Sequence, residues 1–228
     1  MLEAIILTII TAATPLLLAA IGELVVEKSG VLNLGVEGMM VMGAVAGFAV
    51  TISTGSPLLG IIGGAIAGML VSLIFAFVTL TLVANQVASG LALTLFGLGL
   101  SGLMGESFVG QPGIKLQSLD VPGLTSLPFV GKILFGQDIL VYLSFAAVVA
   151  VSWFLNRTRA GLILRAVGDN HTSAHALGYS VIGVRYLAVI FGGAMAGLGG
   201  AYLSVAYTPL WVENMTAGRG WIALALVV

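Results

Sequence analysis

Long apolar runs dominate the chain, and short polar stretches separate them. A membrane-spanning helix needs roughly 20 consecutive apolar residues. Six such runs are predicted to span, and a seventh partial run follows them: residues 4–22, 34–53, 58–81, 88–104, 138–155, 186–207 and 219–228. Apolar and polar residues do not alternate with a period of two within these runs, which argues against membrane β-strands. The pattern predicts an all-α fold, a polytopic transmembrane helical bundle.

The last run is too short to span a membrane and is still apolar at Val228. A chain that ended naturally would be expected to close such a helix with polar residues. Either the chain is truncated at its C-terminus, or its end is a partial helix that needs a partner. We expect a truncated chain, because no polar residue terminates the run.

Composition agrees with a membrane protein. Only 7% of the residues are charged and 59% are hydrophobic, whereas an ordinary soluble domain carries about 25% charged residues. The net charge of −1 gives no sign of a nucleic-acid partner, and the absence of cysteine excludes disulfides and cysteine metal sites. The phosphate-binding GxxxxGK[ST] pattern is absent, so ATP would have to be bound by another polypeptide. No cofactor or metal is expected.

Glycines recur four residues apart in three of the predicted spans. The pairs or triplets are Gly43/Gly47, Gly60/Gly64/Gly68 and Gly193/Gly197. This spacing places small residues on one helix face, where neighbouring backbones can approach closely. We predict that these glycines serve helix packing.

Basic residues are concentrated between the fifth and sixth spans. Residues 156–185 hold four of the eight Lys and Arg residues: Arg157, Arg159, Arg165 and Arg185. Positively charged loops stay on the cytoplasmic side, so this loop is predicted to be cytoplasmic. Strict alternation then places loops 105–137 and 208–220 outside. Within 156–185 the pattern predicts a short helix over 169–177, closed by Gly178. It is either a docking element for a soluble partner or part of a plain loop whose arginines set the topology.

A carboxylate, Glu37, and an amide, Asn33, lie in or at the edge of the second apolar run, within the stretch VLNLGVEGMM at 31–40. Ionisable groups inside membranes are costly and default to a functional role. Gly30, Gly35 and Gly38 are predicted to break the helix, with Glu37 satisfying freed backbone amides or taking a helix N-terminal position. The alternative is that Glu37 contacts a solute. For Glu23 and Glu27, beside Lys28, solvation at the membrane interface is a sufficient explanation.

Three blocks of the chain resemble a known family. They are GELVVEKSGVLNLGVEGMMVMGAVAGF at 22–48, RAGLILRAVGDNHTSAHALGYSVIGVR at 159–185 and FGGAMAGLGGAYLS at 191–204. These blocks resemble ABC transporter permeases of the branched-chain amino acid/ribose-type importer family, specifically its nucleoside (guanosine-type) branch.

The resemblance implies a type II importer fold, with one permease domain over residues 1–228 in a bacterial inner membrane. It also implies a second permease subunit, ABC ATPase subunits on the cytoplasmic side and an extracytoplasmic solute-binding lipoprotein, with no enzymatic activity in this chain. The family's ATPase-coupling positions correspond here to Arg165, Ala166, Gly168, Ala174 and Gly178. For the substrate pathway the resemblance points to Asn33 and Glu37.

Together these observations predict a permease subunit that moves nucleosides, or a related sugar-type solute, by ATP-driven alternating access. One alternative is a proton- or sodium-coupled secondary transporter that uses Glu37. The other is a passive channel or a structural membrane subunit.

Overall fold

The computed structural model describes residues 2–119, 125 and 130–228. Ten α-helices lie within these residues: α1 (Leu2–Lys28), α2 (Val36–Thr54), α3 (Pro57–Ala76), α4 (Gln86–Gly105), α5 (Val130–Phe135), α6 (Ile139–Arg157), α7 (Arg159–Asp169), α8 (His171–Ala176), α9 (Val181–Ala201) and α10 (Arg219–Ala225). Wider π-helical turns extend α3 over Phe77–Thr81 and α9 over Tyr202–Tyr207, and a 3-10 turn extends α4 over Glu106–Phe108.

Six of these helices are long and apolar enough to cross a membrane, namely α1, α2, α3, α4, α6 and α9 with their extensions. Each overlaps one predicted run, which confirms the all-α polytopic class. The largest differences are at α1, which continues to Lys28 instead of ending near residue 22, and at α9, which begins at Val181 instead of 186. Parts of the predicted 105–137 loop, residues 120–124 and 126–129, lie outside the described residues.

The centre of the bundle is a seam of glycines where α2, α3 and α9 meet. A methyl group at Gly43 would overlap the backbone of Gly197, and one at Gly68 would overlap the carbonyl oxygen of Gly193. At Gly64 an added carbon would lie only 2.6 Å from the side chain of Ala201. The predicted packing role of these glycines is confirmed: their backbones touch, and no larger residue fits without moving the helices.

Residues 29–35, which we call the break segment, leave the helical path between α1 and α2, and apart from the exposed Gly30 they are buried or half-buried. Asn33 is fully buried there. Backbone groups in an apolar interior need partners, and α4 supplies them: Leu32 N–H donates to Gln86 Oε1 at 2.9 Å, and the Leu34 carbonyl accepts from Thr94 Oγ1 at 3.1 Å. The predicted helix break is therefore present. Gly38 lies within α2 and packs against α4 instead of interrupting the helix.

Residues 208–218, the descending segment, connect the end of α9 with α10. Its first part pairs with the chain after α4, where Gly113 N–H donates to the Pro209 carbonyl at 2.9 Å. This pairing lies at the Phe48 end of α2, since Phe48 packs edge-on against Phe108. Its last residues instead contact Glu37, which is eleven residues, or about 16 Å, nearer the start of α2.

The prediction that residues 208–220 form a loop on the outer side, as 105–137 does, is therefore wrong for the second half of this stretch. The chain turns back into the bundle, where the carboxylate of Glu37 satisfies its backbone amides.

The predicted loop 156–185 contains two helices where one was expected. The amphipathic α7 buries Leu164 and Val167 and was not foreseen. The predicted short helix is α8: Asn170 caps its start by accepting from Ser173 N–H at 3.0 Å, and Gly178 ends it with a φ of +86°.

Candidate functional site

Glu37 joins the N-terminal ends of two helices. It lies in the first turn of α2 and is 3% exposed. Its Oε1 accepts from Thr216 Oγ1 at 2.6 Å and from Gly218 N–H at 2.8 Å, and its Oε2 accepts from Gly220 N–H at 2.6 Å. Gly218, the capping residue of α10, has no side chain to offer. Glu37 therefore supplies from another helix the oxygen that a capping side chain would contribute.

Asn33 is held by a carboxylate of α1. Its backbone N–H donates to Glu23 Oε1 at 3.3 Å and its Nδ2 to Glu23 Oε2 at 3.2 Å, while its Oδ1 accepts from Gly35 N–H at 3.0 Å. Glu23 is 1% exposed, so interfacial solvation is the wrong explanation for this residue. The sequence predicted that the first span ends at residue 22, which would place Glu23 at the membrane interface. In the structure α1 continues to Lys28, so Glu23 lies within the helix.

Asn33 and Glu37 lie four residues apart but bond in different directions, to α1 and to the start of α10. Both side chains form their hydrogen bonds with other residues of this chain. The two networks together fasten the break segment and the first turn of α2 to α1 and α10. Whether either residue faces a solute remains a prediction.

A polar cavity of about 670 Å³ lies at the opposite end of α2, beside the π-helical end of α9. Leu116, on its wall, donates its N–H to the Val205 carbonyl at 3.0 Å, which fixes the chain after α4 against α9. The polar groups of the cavity come from Thr11, Lys115, Gln117, Ser118, Gln137, Asp138, Tyr202 and Tyr207. Carboxamide, carboxylate and hydroxyl groups are those that bind solute hydroxyls.

Asp138 gives this cavity its carboxylate. The side chain caps α6 by accepting from Leu140 N–H at 2.9 Å and Val141 N–H at 3.1 Å. Partial burial raises the pKa of Asp138, although these two hydrogen bonds oppose the change. No sequence motif marked this cavity, because its residues come from four separate parts of the chain.

The five predicted coupling residues do not form one surface. Ala174 is the buried side chain of α8, and Gly178 occupies an open left-handed turn with no atom near its missing side chain. The Ala166 carbonyl accepts from Asn170 N–H at 3.0 Å, between the two helices. Arg165 lines a groove against α1 and α6. Gly168 packs on the turn after α1.

The contact at Gly168 connects α7 with the break segment. A methyl group on Gly168 would overlap the Lys28 carbonyl oxygen and would lie 3.1 Å from Gly30 N. Beside it, Arg185 at the start of α9 donates from Nε to the Ser29 carbonyl at 3.1 Å. The residues before and after α8 are therefore both anchored to the same turn.

Comparisons with known proteins identify the family of the chain. The family model for the branched-chain amino acid transport system / permease component matches residues 5–228. The chain is 47% identical over 223 residues, 96% of its length and 68% of the relative's, to "Putative glucose ABC transporter permease protein TsgC13" of Haloferax volcanii.

Two further relatives are similar over most of the chain. The nucleoside ABC transporter permease protein NupC of Lactococcus lactis is 32% identical across 100% of this chain and 75% of its own. The guanosine ABC transporter permease protein NupQ of Bacillus subtilis is 31% identical across 98% and 75%. No solved structure matches the chain. The chain therefore belongs to the branched-chain amino acid transport system / permease component family, and it is a multi-pass membrane permease subunit of an ABC transporter.

Proposed function

We propose that this permease imports a solute containing a hydroxylated sugar ring, either a nucleoside or a sugar, by alternating access driven by separate ATPase subunits. The observation that carries the proposal is the contact of Gly168 with the turn after α1. This contact connects α7 and α8, the part predicted to bind the ATPase, with the break segment between α1 and α2. A second permease subunit and an extracytoplasmic solute-binding lipoprotein complete the proposed transporter.

The surface around α8 suits a protein partner. Leu177 is 76% exposed and Ile182 is 55% exposed, and beside them α8 exposes the polar side chains of His171, Thr172, Ser173 and His175. Exposed apolar side chains rimmed by polar residues are typical of an interaction site. Ala174, buried beneath, anchors α8 to the rest of the permease. We propose that the ATPase subunit binds this surface.

A movement of α8 would be transmitted to the membrane-spanning helices through a small number of contacts. Gly168 and Arg185 contact the turn at residues 28–30, the break segment follows at once, and Glu37 links the start of α2 with α10. A rigid-body shift of α7 would thus displace the start of α2 and α10 together. In this proposal Asn33 and Glu37 act on the pathway mainly by holding these elements in register.

The solute class rests on two observations. Glucose, nucleosides and guanosine appear in the names of the similar permeases, and a sugar ring is common to them. The polar cavity beside Asp138 offers groups that bind ring hydroxyls and is, at about 670 Å³, within the range of small-molecule sites. We propose that this cavity receives the solute from the external binding protein.

Uptake by the complete transporter tests the proposal. Proteoliposomes holding the permease with its ATPase subunits would be supplied with binding protein and radiolabelled guanosine or glucose. Uptake that requires hydrolysable ATP and survives an uncoupler supports the proposal. Uptake that the uncoupler abolishes would support the proton-coupled alternative, and equal flux without ATP would support the channel. Uptake of neither solute, with ATP-dependent uptake of an amino acid, would overturn the solute class alone.

A further inference from the structure

A groove between α1, α6 and α7 combines an apolar wall with a cationic mouth. It encloses about 420 Å³. Leu24, Val148 and Leu155 form its walls, and Lys28, Asn156 and Arg165 lie at its mouth. Because α1 ends at Lys28 and α6 ends at Arg157, the mouth lies at the ends of two membrane-spanning helices. The groove therefore opens where the bilayer core meets the headgroup region.

Neither cation at this mouth has a partner among the residues that the structure describes. Arg165 Nε is buried without a hydrogen bond, and within the described residues neither Arg165 nor Lys28 forms an ion pair. A buried donor without an acceptor is costly, and native proteins normally satisfy such groups. An anion placed between Lys28 and Arg165 would provide the missing acceptor.

We propose that this groove binds one anionic phospholipid, whose phosphate contacts Arg165 and Lys28 and whose acyl chain lies along Leu24 and Val148. Basic pockets between transmembrane helices bind anionic headgroups. A neutral lipid would leave the charges at the mouth uncompensated. A soluble phosphate would leave the apolar wall uncovered. Only an amphipathic anion matches both halves of the groove. This inference does not depend on which solute the permease carries.

Lipid retention measures this site directly. The purified full chain, equilibrated with equal amounts of phosphatidylglycerol and phosphatidylcholine, would be analysed by native mass spectrometry. Replacing both cations, Lys28→Gln with Arg165→Gln, should reduce phosphatidylglycerol retention by about fivefold for each cation. The matched control is Arg157→Gln with Arg159→Gln, which removes the same charge on the same side but outside the groove. Equal loss in both double variants would overturn the proposal.

A second variant keeps the test decisive if the charge variant fails to fold. Val148→Trp fills the groove and leaves both cations in place, so it should also lose phosphatidylglycerol. Unchanged retention in Val148→Trp would overturn the proposed path of the acyl chain and the proposal with it. Inorganic phosphate is the remaining probe. Failure of millimolar phosphate to displace the lipid supports a lipid site, and full displacement would show a simple anion site instead.

Discussion

Glu37, in the first turn of α2, accepts a hydrogen bond at 2.6 Å from the backbone N–H of Gly220, which lies 183 residues later in the chain. A methyl group at Gly220 would lie only 2.6 Å from the Cα of Glu37. The carboxylate and the glycine therefore define one joint, at which α10 begins inside the bundle. The sequence predicted that Glu37 satisfies backbone amides freed near the start of α2. The amides that it satisfies in the structure belong instead to the start of a distant helix, α10.

Replacing this carboxylate should destabilise the protein more than it changes solute preference. In Glu37→Gln an amide NH₂ replaces one of the two oxygens and faces a backbone donor, so we expect a loss of about 2 to 4 kcal/mol. Thermal unfolding in detergent measures it. Glu106→Gln, the same change at an exposed position, is the control and should be neutral. Normal stability with altered solute preference would instead favour direct contact of Glu37 with the solute.

The glycine seam predicts a sharp contrast between two glycine substitutions. Gly43→Ala places a methyl group against the backbone of Gly197 and should cost about 1 to 3 kcal/mol or prevent folding. Gly99→Ala, where nothing lies within 4 Å, should be neutral or slightly stabilising, since alanine favours the helix. Yield of monodisperse protein and its melting temperature report the difference. Similar behaviour of both variants would contradict the close packing of α2 on α9.

Gly178 tests the proposed ATPase surface. Gly178 has a φ of +86°. A residue with a side chain adopts this conformation only at a cost of about 1 to 2 kcal/mol, so Gly178→Leu should distort the end of α8. We expect ATPase subunits to be lost on co-purification. Gly55→Leu carries the same strain at φ +70°, in the turn between α2 and α3, and should retain them. Full retention by both variants would argue against docking at α8.

Gly168 separates binding of the ATPase from its coupling to transport. Gly168→Ala pushes α7 away from the Lys28 carbonyl without altering α8, so ATPase subunits should still co-purify. ATP-dependent uptake should fall at least about tenfold, because the route from α8 to the break segment is disturbed. Gly183→Ala is the control, since its added methyl meets only the side chain of Ser180 beyond the local backbone. Undiminished uptake by Gly168→Ala would contradict the proposed route.

Local patterns predicted several features of the fold correctly. Long apolar runs indicated the six spanning helices, because a bilayer requires each segment to satisfy its own backbone. Asn170 and Gly178 marked the two ends of α8, since capping depends on a few adjacent residues. The glycines near residue 30 indicated the helix break. The amphipathic α7 was missed because it lies within a stretch that the sequence presented as a polar loop.

The sequence by itself determined where the membrane helices lie, that the chain leaves the helical path near Gly30 and which family the chain resembles, because these depend on composition and on residues close together in the chain. Only the tertiary structure decided that Glu23 is buried against Asn33, that Glu37 caps α10, and that Arg165 and Lys28 share a groove. The partners in the last two relationships are separated by more than a hundred residues. Their meeting depends on how the helices pack, which no local pattern of apolar and polar residues encodes.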